Sequence, residues 1–138
     1  MTNASATLAR IDLLSELSKT ELRQIERLMT PIDIRAGREF ITEGTPGREA
    51  FIILEGIASV RHNGRVIATV GPGEVLGEVA VVAGLRRSAT VVAETDIVAE
   101  VLDRREFVAL LDANPKLSQK ILIAAIKRLH DLEPGLLG

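Results

Sequence analysis

The residues with the most evident chemistry lie in one short stretch, residues 76–90. Gly77 has no Cβ atom, so the backbone can turn sharply there and a ligand can approach closely. Residues 78–83 are typical of one short helical turn, whose first N–H groups have no partner within the helix. Such free N–H groups attract anions, and Arg87 adds a planar set of donors for the same anion. The stretch therefore predicts an anion site.

Glu78 restricts what that anion can be. Its carboxylate would repel a bare anion, so it should bind a different group of the ligand, and the vicinal hydroxyls of a sugar would suit it. A phosphate held by Arg87 and backbone N–H groups, with a sugar hydroxyl on Glu78, describes a nucleoside monophosphate. Two ordinary alternatives remain open: a surface salt bridge for Arg87, and for Glu78 the common preference for acids at a helix N-terminus.

The elements that must position these residues are mainly strands. Between residues 31 and 102 short apolar runs recur, and a turn signal such as Asn63-Gly64 ends most of them. About eight short strands at this spacing predict an antiparallel β-roll, jelly-roll-like, in which the strands supply an apolar wall for a base. The predicted runs are Ile32–Ile34, Phe40–Ile41, Phe51–Leu54, Ile57–Val60, Val66–Val70, Ala89–Ala93 and Ile97–Leu102.

Helices are predicted before the strands, over residues 8–30. Ser18 and Glu21 have the spacing of a capping box, in which each side chain bonds the backbone N–H of the other residue. The step from Thr30 to Pro31 should end this helical segment, because a residue before proline disfavours helical backbone.

Two more helices are predicted over residues 103–132. Asp103 can cap a helix from Arg104 to Leu111, and Asn114 can cap one that begins at Pro115. The whole pattern predicts a mainly β fold with flanking helices, as a single domain over residues 1–138.

Residues 76–90 resemble the phosphate-binding cassette of the cyclic-nucleotide-binding domain family. That cassette usually reads Phe-Gly-Glu, an apolar run, three variable residues and then Pro-Arg-Ala-Ala. Here Leu76 stands at the Phe, Arg86 at the Pro and Ser88 at the first Ala. The resemblance extends over about residues 8–132, through residues 11–18, Gly37, residues 44–47, residues 51–53 and Gly56.

The resemblance implies a role for each cassette residue. Gly77 and the N–H of Val79 would lie at the phosphate and ribose edge, Glu78 would bind the ribose 2′-OH, and Arg87 the cyclic phosphate. Ser88 would contact the phosphate or the base; its alternative is a strand-end serine that bonds the backbone.

Three neighbours complete the predictions for this stretch. Leu76 and Ala89 are included among the expected ligand-binding residues. Arg86 is expected to be solvated, although it could compete for the phosphate.

Composition argues against several other classes of protein. The formal charge is −2, from 17 Lys and Arg against 19 Asp and Glu, with no basic stripe of the kind that binds nucleic acid. With three Phe and no Tyr or Trp, stacking platforms for single strands are also scarce. The absence of Cys excludes disulfides and thiolate metal sites. Neither a signal peptide nor a membrane-length apolar run is evident, so we expect a cytoplasmic protein that contacts no membrane.

Catalytic signals are also missing from the sequence. It has no Gly-Lys-Ser/Thr phosphate loop, and the triplet Gly71-Pro72-Gly73 is a turn rather than a dinucleotide fingerprint. The two histidines, His62 and His130, are too few for a metal-dependent cupin site, and both are expected to be ordinary exposed residues. We expect no enzyme, no metal and no cofactor.

The resulting hypothesis is a non-catalytic sensor that binds cAMP and signals through its C-terminal helix to an effector protein or to a second copy. A cGMP receptor and an interaction domain with a non-binding pocket are the alternatives. Receptors of this family often carry a helix-turn-helix after a long dimer helix. The chain ends soon after Leu132, so we expect a stand-alone domain without a DNA-binding part.

Overall fold

The protein is described by a computed structural model, which covers residues 18–132. Its helices are α1 (Lys19–Leu28), α2 (Glu78–Ala83), α3 (Arg104–Ala113) and α4 (Pro115–Leu132). Its strands are β1 (Thr30–Ile34), β2 (Glu39–Ile41), β3 (Glu49–Glu55), β4 (Ala58–His62), β5 (Arg65–Val70), β6 (Val75–Leu76), β7 (Thr90–Ala93) and β8 (Ile97–Asp103). The predicted antiparallel β-roll of about eight strands with flanking helices is confirmed. The eighth strand is β6, at the start of the cassette, and the helix expected before Ser18 lies outside the described residues.

The strands form two four-stranded antiparallel sheets, in the orders β1-β8-β3-β6 and β2-β7-β4-β5. One apolar cluster lies between the sheets and includes Phe51, Val91 and Val101. A second cluster lies between the first sheet and the helices and includes Leu102 and Phe107. The described helices therefore pack on the first sheet, and the cassette connects the two sheets.

Strand β8 separates the two clusters. Successive side chains of a strand point to opposite faces, and Ile97, Ala99 and Val101 belong to the cluster between the sheets. Leu102 belongs to the helical cluster, and Val98 packs against it. Glu100 alternates with these two residues, so its side chain faces the helices.

The turn at Asn63-Gly64, the Ser18–Glu21 capping box and the end of the first helix are formed as the sequence predicts. Asn63 and Gly64 have φ values of 51° and 80°, the positive values that a type I′ hairpin needs. The Ser18–Glu21 capping box is formed, and Asp103 makes a second one with Glu106. Helix α1 ends at Leu28, ahead of Pro31, as expected.

The two C-terminal helices begin at the predicted residues, but α3 continues to Ala113 rather than Leu111. The side chain of Asn114 donates to the Leu110 carbonyl, while its own carbonyl accepts from the Ser118 N–H. Asn114 therefore bonds both helices at their junction. Within residues 18–132, no helix has the length and apolar character that a membrane span requires.

Candidate ligand-binding site

The cassette begins in β6, which is an edge strand of the first sheet. Leu76 pairs with Phe51 of β3, and its side chain is buried in the cluster between the sheets. The chain then turns at Gly77, which has a φ of 77° and directly precedes α2. A Cβ atom on Gly77 would collide with the guanidinium of Arg87. Glycine is therefore required here both for the turn and for the close approach of Arg87.

Arg87 is the central side chain of the site. It is 8% exposed, its Nη1 donates to the Gly77 carbonyl over 3.0 Å, and its Nη2 donates to the Glu49 carbonyl over 2.6 Å. Both acceptors are backbone carbonyls, and the side chain is buried, so the alternative of a surface salt bridge does not apply. Burial lowers the pKa of Arg87, while the negative charges of Glu49 and Glu78 act in the opposite direction.

Glu78 is the buried acid of the same region. It is the first residue of α2 and is 4% exposed. Its charge supports the protonated form of Arg87. The structure thus brings together a turn, a buried carboxylate and a buried guanidinium, which are the three features that the sequence singles out.

The other predicted residues contribute less side-chain surface to this centre. Val79 is 52% exposed and points outward, which leaves its backbone N–H as the expected ligand contact. Ser88 is exposed and Ala89 is half-buried. Leu76 is buried in the core at the start of the cassette, and its expected contact with the ligand stays a prediction.

The loop between β2 and β3 holds the end of the cassette. The Gly44 N–H donates to the Arg87 carbonyl over 2.9 Å, and the Arg87 N–H donates to the Thr45 carbonyl over 2.7 Å. Gly47 adds a third bond, to the Leu85 carbonyl over 3.2 Å. Both backbone groups of Arg87 are thereby fixed, which sets the direction of its side chain.

Arg86 has a different role from Arg87. It is exposed, and its Nη1 donates to the Gly44 carbonyl over 2.8 Å. The expectation that Arg86 is solvated is confirmed, and the hydrogen bond ties it to the β2–β3 loop.

Two residues that contribute to the site are not predicted from the sequence. Glu49 offers both a carbonyl and a charge to Arg87, from 38 positions away. His62 is exposed, as expected, but its Nδ1 lies 3.2 Å from the Glu43 carboxylate and 3.2 Å from the Ser88 carbonyl. These partners are 19 and 26 positions from His62, so no local pattern reveals them.

Comparison with known proteins identifies the family. The sequence model of one protein family, the cyclic nucleotide-binding domain, matches residues 31–114, which is more than half of the chain. The chain belongs to the cyclic nucleotide-binding domain family. The match includes the whole cassette and the two sheets described above. Cyclic nucleotide-binding domains are regulatory rather than catalytic units.

The relatives of this cyclic nucleotide-binding domain include larger proteins. The cGMP-dependent protein kinase egl-4 of Caenorhabditis elegans is 35% identical over 96 residues, which are 70% of this chain and 12% of the kinase. The chain therefore spans about an eighth of the curated relatives it matches.

Solved structures give the same family. The structure described as cAMP-bound PfPKA-R has a TM-score of 0.82 and 25% identity, and the match covers 96% of this chain and 45% of that one. A cyclic nucleotide-binding domain from Methylobacillus flagellatus has a TM-score of 0.77 and 29% identity, with 98% of this chain and 83% of that one covered. The names of these relatives include both a cAMP-bound and a cGMP-dependent protein.

Proposed function

We propose that this domain is a non-catalytic sensor of cAMP. Arg87 binds the cyclic phosphate, Glu78 binds the ribose 2′-OH, and the backbone at Gly77 and Val79 completes the phosphate and ribose edge. The observation that carries the proposal is that Arg87 and Glu78 are both buried next to Gly77, where a Cβ atom would collide with the guanidinium of Arg87.

The donors of Arg87 suit a bound anion. A guanidinium has five N–H donors in a fixed plane. Within residues 18–132, Arg87 donates one hydrogen bond to the Gly77 carbonyl and one to the Glu49 carbonyl. The remaining donors are available to the phosphate oxygens, and the two carbonyls hold the group in place before the ligand arrives. Because desolvated, charge-assisted hydrogen bonds are the stronger ones, this arrangement favours a phosphate over water.

Selectivity between nucleotides is expected to be modest. Ser88 is exposed and can donate to the phosphate of either ligand, or meet the 2-amino group of a syn guanine. No Tyr or Trp is available to cap the base; Phe51 and Phe107 are buried in the two clusters, and Phe40 packs on Phe51. We expect cAMP to bind about tenfold more tightly than cGMP, a difference of about 1.4 kcal/mol.

Calorimetric titration of the domain with cAMP and with cGMP tests this proposal directly. A thermal-shift series with the same ligands provides an independent readout, since a ligand at 100 times its Kd adds about 2.7 kcal/mol of stability. Tighter binding of cGMP would favour the cGMP receptor. No heat and no shift with either nucleotide would favour an interaction domain with a non-binding pocket.

Helix α4 is the proposed output element. Leu117 and Ile121 are buried against the core, while Leu122, Ile123 and Ile126 are exposed at 59%, 45% and 46%. A helix that is apolar on two sides is stable when both sides are covered. The second side would cover the bound nucleotide, or an effector protein, or a second copy of the chain.

Hydrogen exchange tests the output element. A ligand can move a helix only if it binds the moved state better. We therefore expect cAMP to slow amide exchange in residues 121–132 as well as in residues 77–88. The Arg87→Ala protein is the matched control, in which added cAMP should change neither segment. Slowing confined to residues 77–88 would leave α4 as a permanently docked helix.

The proposal places the domain in the cytoplasm, where its ligand is cAMP and its partners are proteins. The near-neutral charge, with no basic stripe, supports the absence of a direct nucleic-acid contact. Neither a cofactor nor a metal is needed for the binding mode described.

A further inference from the structure

The end of the cassette, residues 88–90, contacts two segments that are distant in sequence. These are the β2–β3 loop and the β4–β5 hairpin, and Glu43 joins all three. The Glu43 N–H donates to the Thr90 hydroxyl over 2.9 Å. The Glu43 carboxylate accepts from the Asn63 N–H over 3.3 Å and lies 3.2 Å from Nδ1 of His62. We call Glu43 and His62 together the clasp.

The geometry of the clasp defines where the proton of His62 is. Nδ1 lies 3.2 Å from both the Glu43 carboxylate and the Ser88 carbonyl. Both groups accept hydrogen bonds, so Nδ1 must carry a hydrogen and share it between them. The ring therefore bonds the β2–β3 loop to the residue that follows Arg87.

The other ring nitrogen can accommodate either charge state. Nε2 lies 3.3 Å from the side-chain amide of Asn63, which can present its nitrogen or, after rotation, its oxygen. A neutral His62 accepts from the amide nitrogen, and a charged His62 donates to the amide oxygen. The clasp can thus gain or lose a proton without losing this contact.

We propose that the Glu43–His62 clasp positions the end of the cassette through the charge of His62, so that nucleotide affinity increases as His62 is protonated. This inference rests on the proposed function, because it concerns the same site. A charged imidazole makes a stronger hydrogen bond to the Ser88 carbonyl than a neutral one. Since Ser88 is joined directly to Arg87, the stronger bond fixes the guanidinium more firmly in its ligand-binding direction.

The charged groups around His62 have opposite signs. Glu43 of the β2–β3 loop places a negative charge beside the ring, and Arg65 of β5, directly opposite His62 in the hairpin, carries a positive one. The cassette presents the Ser88 carbonyl to the ring and the Thr90 hydroxyl to the Glu43 N–H, and neither group is charged. Histidine side chains ordinarily change charge between about pH 5 and 8, so the experiment covers most of this range.

The experiment measures the Kd for cAMP from pH 5.5 to 8.5 in four proteins: the parent, His62→Gln, Glu43→Gln and His130→Gln. The parent should bind about threefold to tenfold more tightly at the acidic end. His62→Gln should remove this change of affinity with pH. Glu43→Gln, which keeps an acceptor oxygen but loses the charge, should shift the change of affinity to lower pH. His130→Gln, which replaces the other histidine, should retain it. The side chains of His62 and Glu43 are 53% and 32% exposed, so these variants should fold.

A second measurement separates failure of the clasp from failure of the proposed function. In the ligand-free parent, the amide NMR signals of Ser88, Thr90 and Asn63 should titrate together with the His62 ring, and they should stop doing so in His62→Gln. Amide signals that do not change together with the His62 ring would overturn the proposal whether or not cAMP binds. So would a parent and a His62→Gln protein with equal pH profiles of Kd. If the amides titrate and no nucleotide binds at any pH, the proposed function is wrong, and only the coupling of His62 to the end of the cassette is supported.

Discussion

Two glutamates of this domain are buried to nearly the same degree in very different surroundings. Glu78 of the cassette is 4% exposed, and Glu100 of β8 is 2% exposed. Beside Glu78 lies the buried guanidinium of Arg87, and the negative charge of Glu78 favours the protonated form of that guanidinium. Beside Glu100 lies another acid, Glu26 of α1.

The consequences for Glu100 are electrostatic. Burial raises the pKa of Glu100, and the negative charge of Glu26 raises it further. Among the described residues, neither its Oε2 atom nor the Oε2 atom of Glu78 has a hydrogen-bond partner, so the charge of the neighbour is what differs between the two acids. A buried carboxyl without a cation or sufficient donors is most stable when it is neutral.

The difference shows that burial alone does not identify a binding site in this fold. At the cassette, a buried acid accompanies a buried base that has N–H donors remaining for a ligand. At the interface of β8 with the helices, a buried acid lies beside a second acid, and its ionised form is disfavoured. The sign of the neighbouring charge distinguishes the proposed ligand site from the buried acid of β8.

The largest expected effect comes from breaking the pair in the cassette. Arg87→Ala removes the base and leaves Glu78 buried, so cAMP affinity should fall by about 2–5 kcal/mol, a factor of roughly 30 to several thousand. Arg86→Ala is the matched control. It removes only an exposed hydrogen bond to Gly44 and should cost far less. Calorimetry measures both variants, and circular dichroism checks that each is folded. Equal losses would mean that the phosphate contact is assigned to the wrong arginine.

How much of this could be predicted depends on how local each feature is. The cassette residues lie close together in the chain, so the turn at Gly77 and the placement of Arg87 near it follow from the sequence. The strands of the roll are also locally encoded, since each is a short apolar run with a turn signal. Only β6 is too short to be separated from the cassette.

Two of the features that could not be predicted depend on distant contacts. Glu100 stands inside an apolar run, and nothing nearby in the sequence indicates that its face of β8 lies against α1. His62 looks like a plain hairpin residue until the fold brings Glu43 and Ser88 to it. In both cases the partners are set by strand pairing and helix packing, which local patterns do not specify.

An effect of intermediate size should follow from neutralising Glu100. Because its pKa is raised in the folded protein, the stabilising contribution of the neutral group is complete below the unfolded carboxyl pKa of about 4.3. It is lost as pH rises through the folded value. Glu100→Gln should therefore be more stable than the parent at pH 7.5, by about 1 kcal/mol, the lower end of the range for an unsatisfied buried polar group. The gain should disappear near pH 4.

Urea unfolding at pH 4, 5.5 and 7.5 measures this gain as the difference between variant and parent, which removes the contributions of the other carboxyl groups. Glu74→Gln, at an exposed position, is the control and should stay within about 0.5 kcal/mol of the parent. A Glu100→Gln protein that is less stable at pH 7.5 would show that the carboxylate has a compensating partner.

The smallest effect should come from the other acid of that pair. Glu26 is only partly buried, so water and salt screen its repulsion of Glu100, and we expect Glu26→Gln to gain a few tenths of a kcal/mol at pH 7.5. The single variant cannot assign that gain, because Glu26 has further interactions that the substitution also changes. A double-mutant cycle can assign the gain, because the coupling between two sites is what remains after their separate effects are subtracted. If the acids repel each other, Glu26→Gln stabilises the parent but not the Glu100→Gln protein, and high salt reduces the gain. An equal gain in both backgrounds would place the effect of Glu26 elsewhere and leave burial as the sole cause of the raised pKa of Glu100.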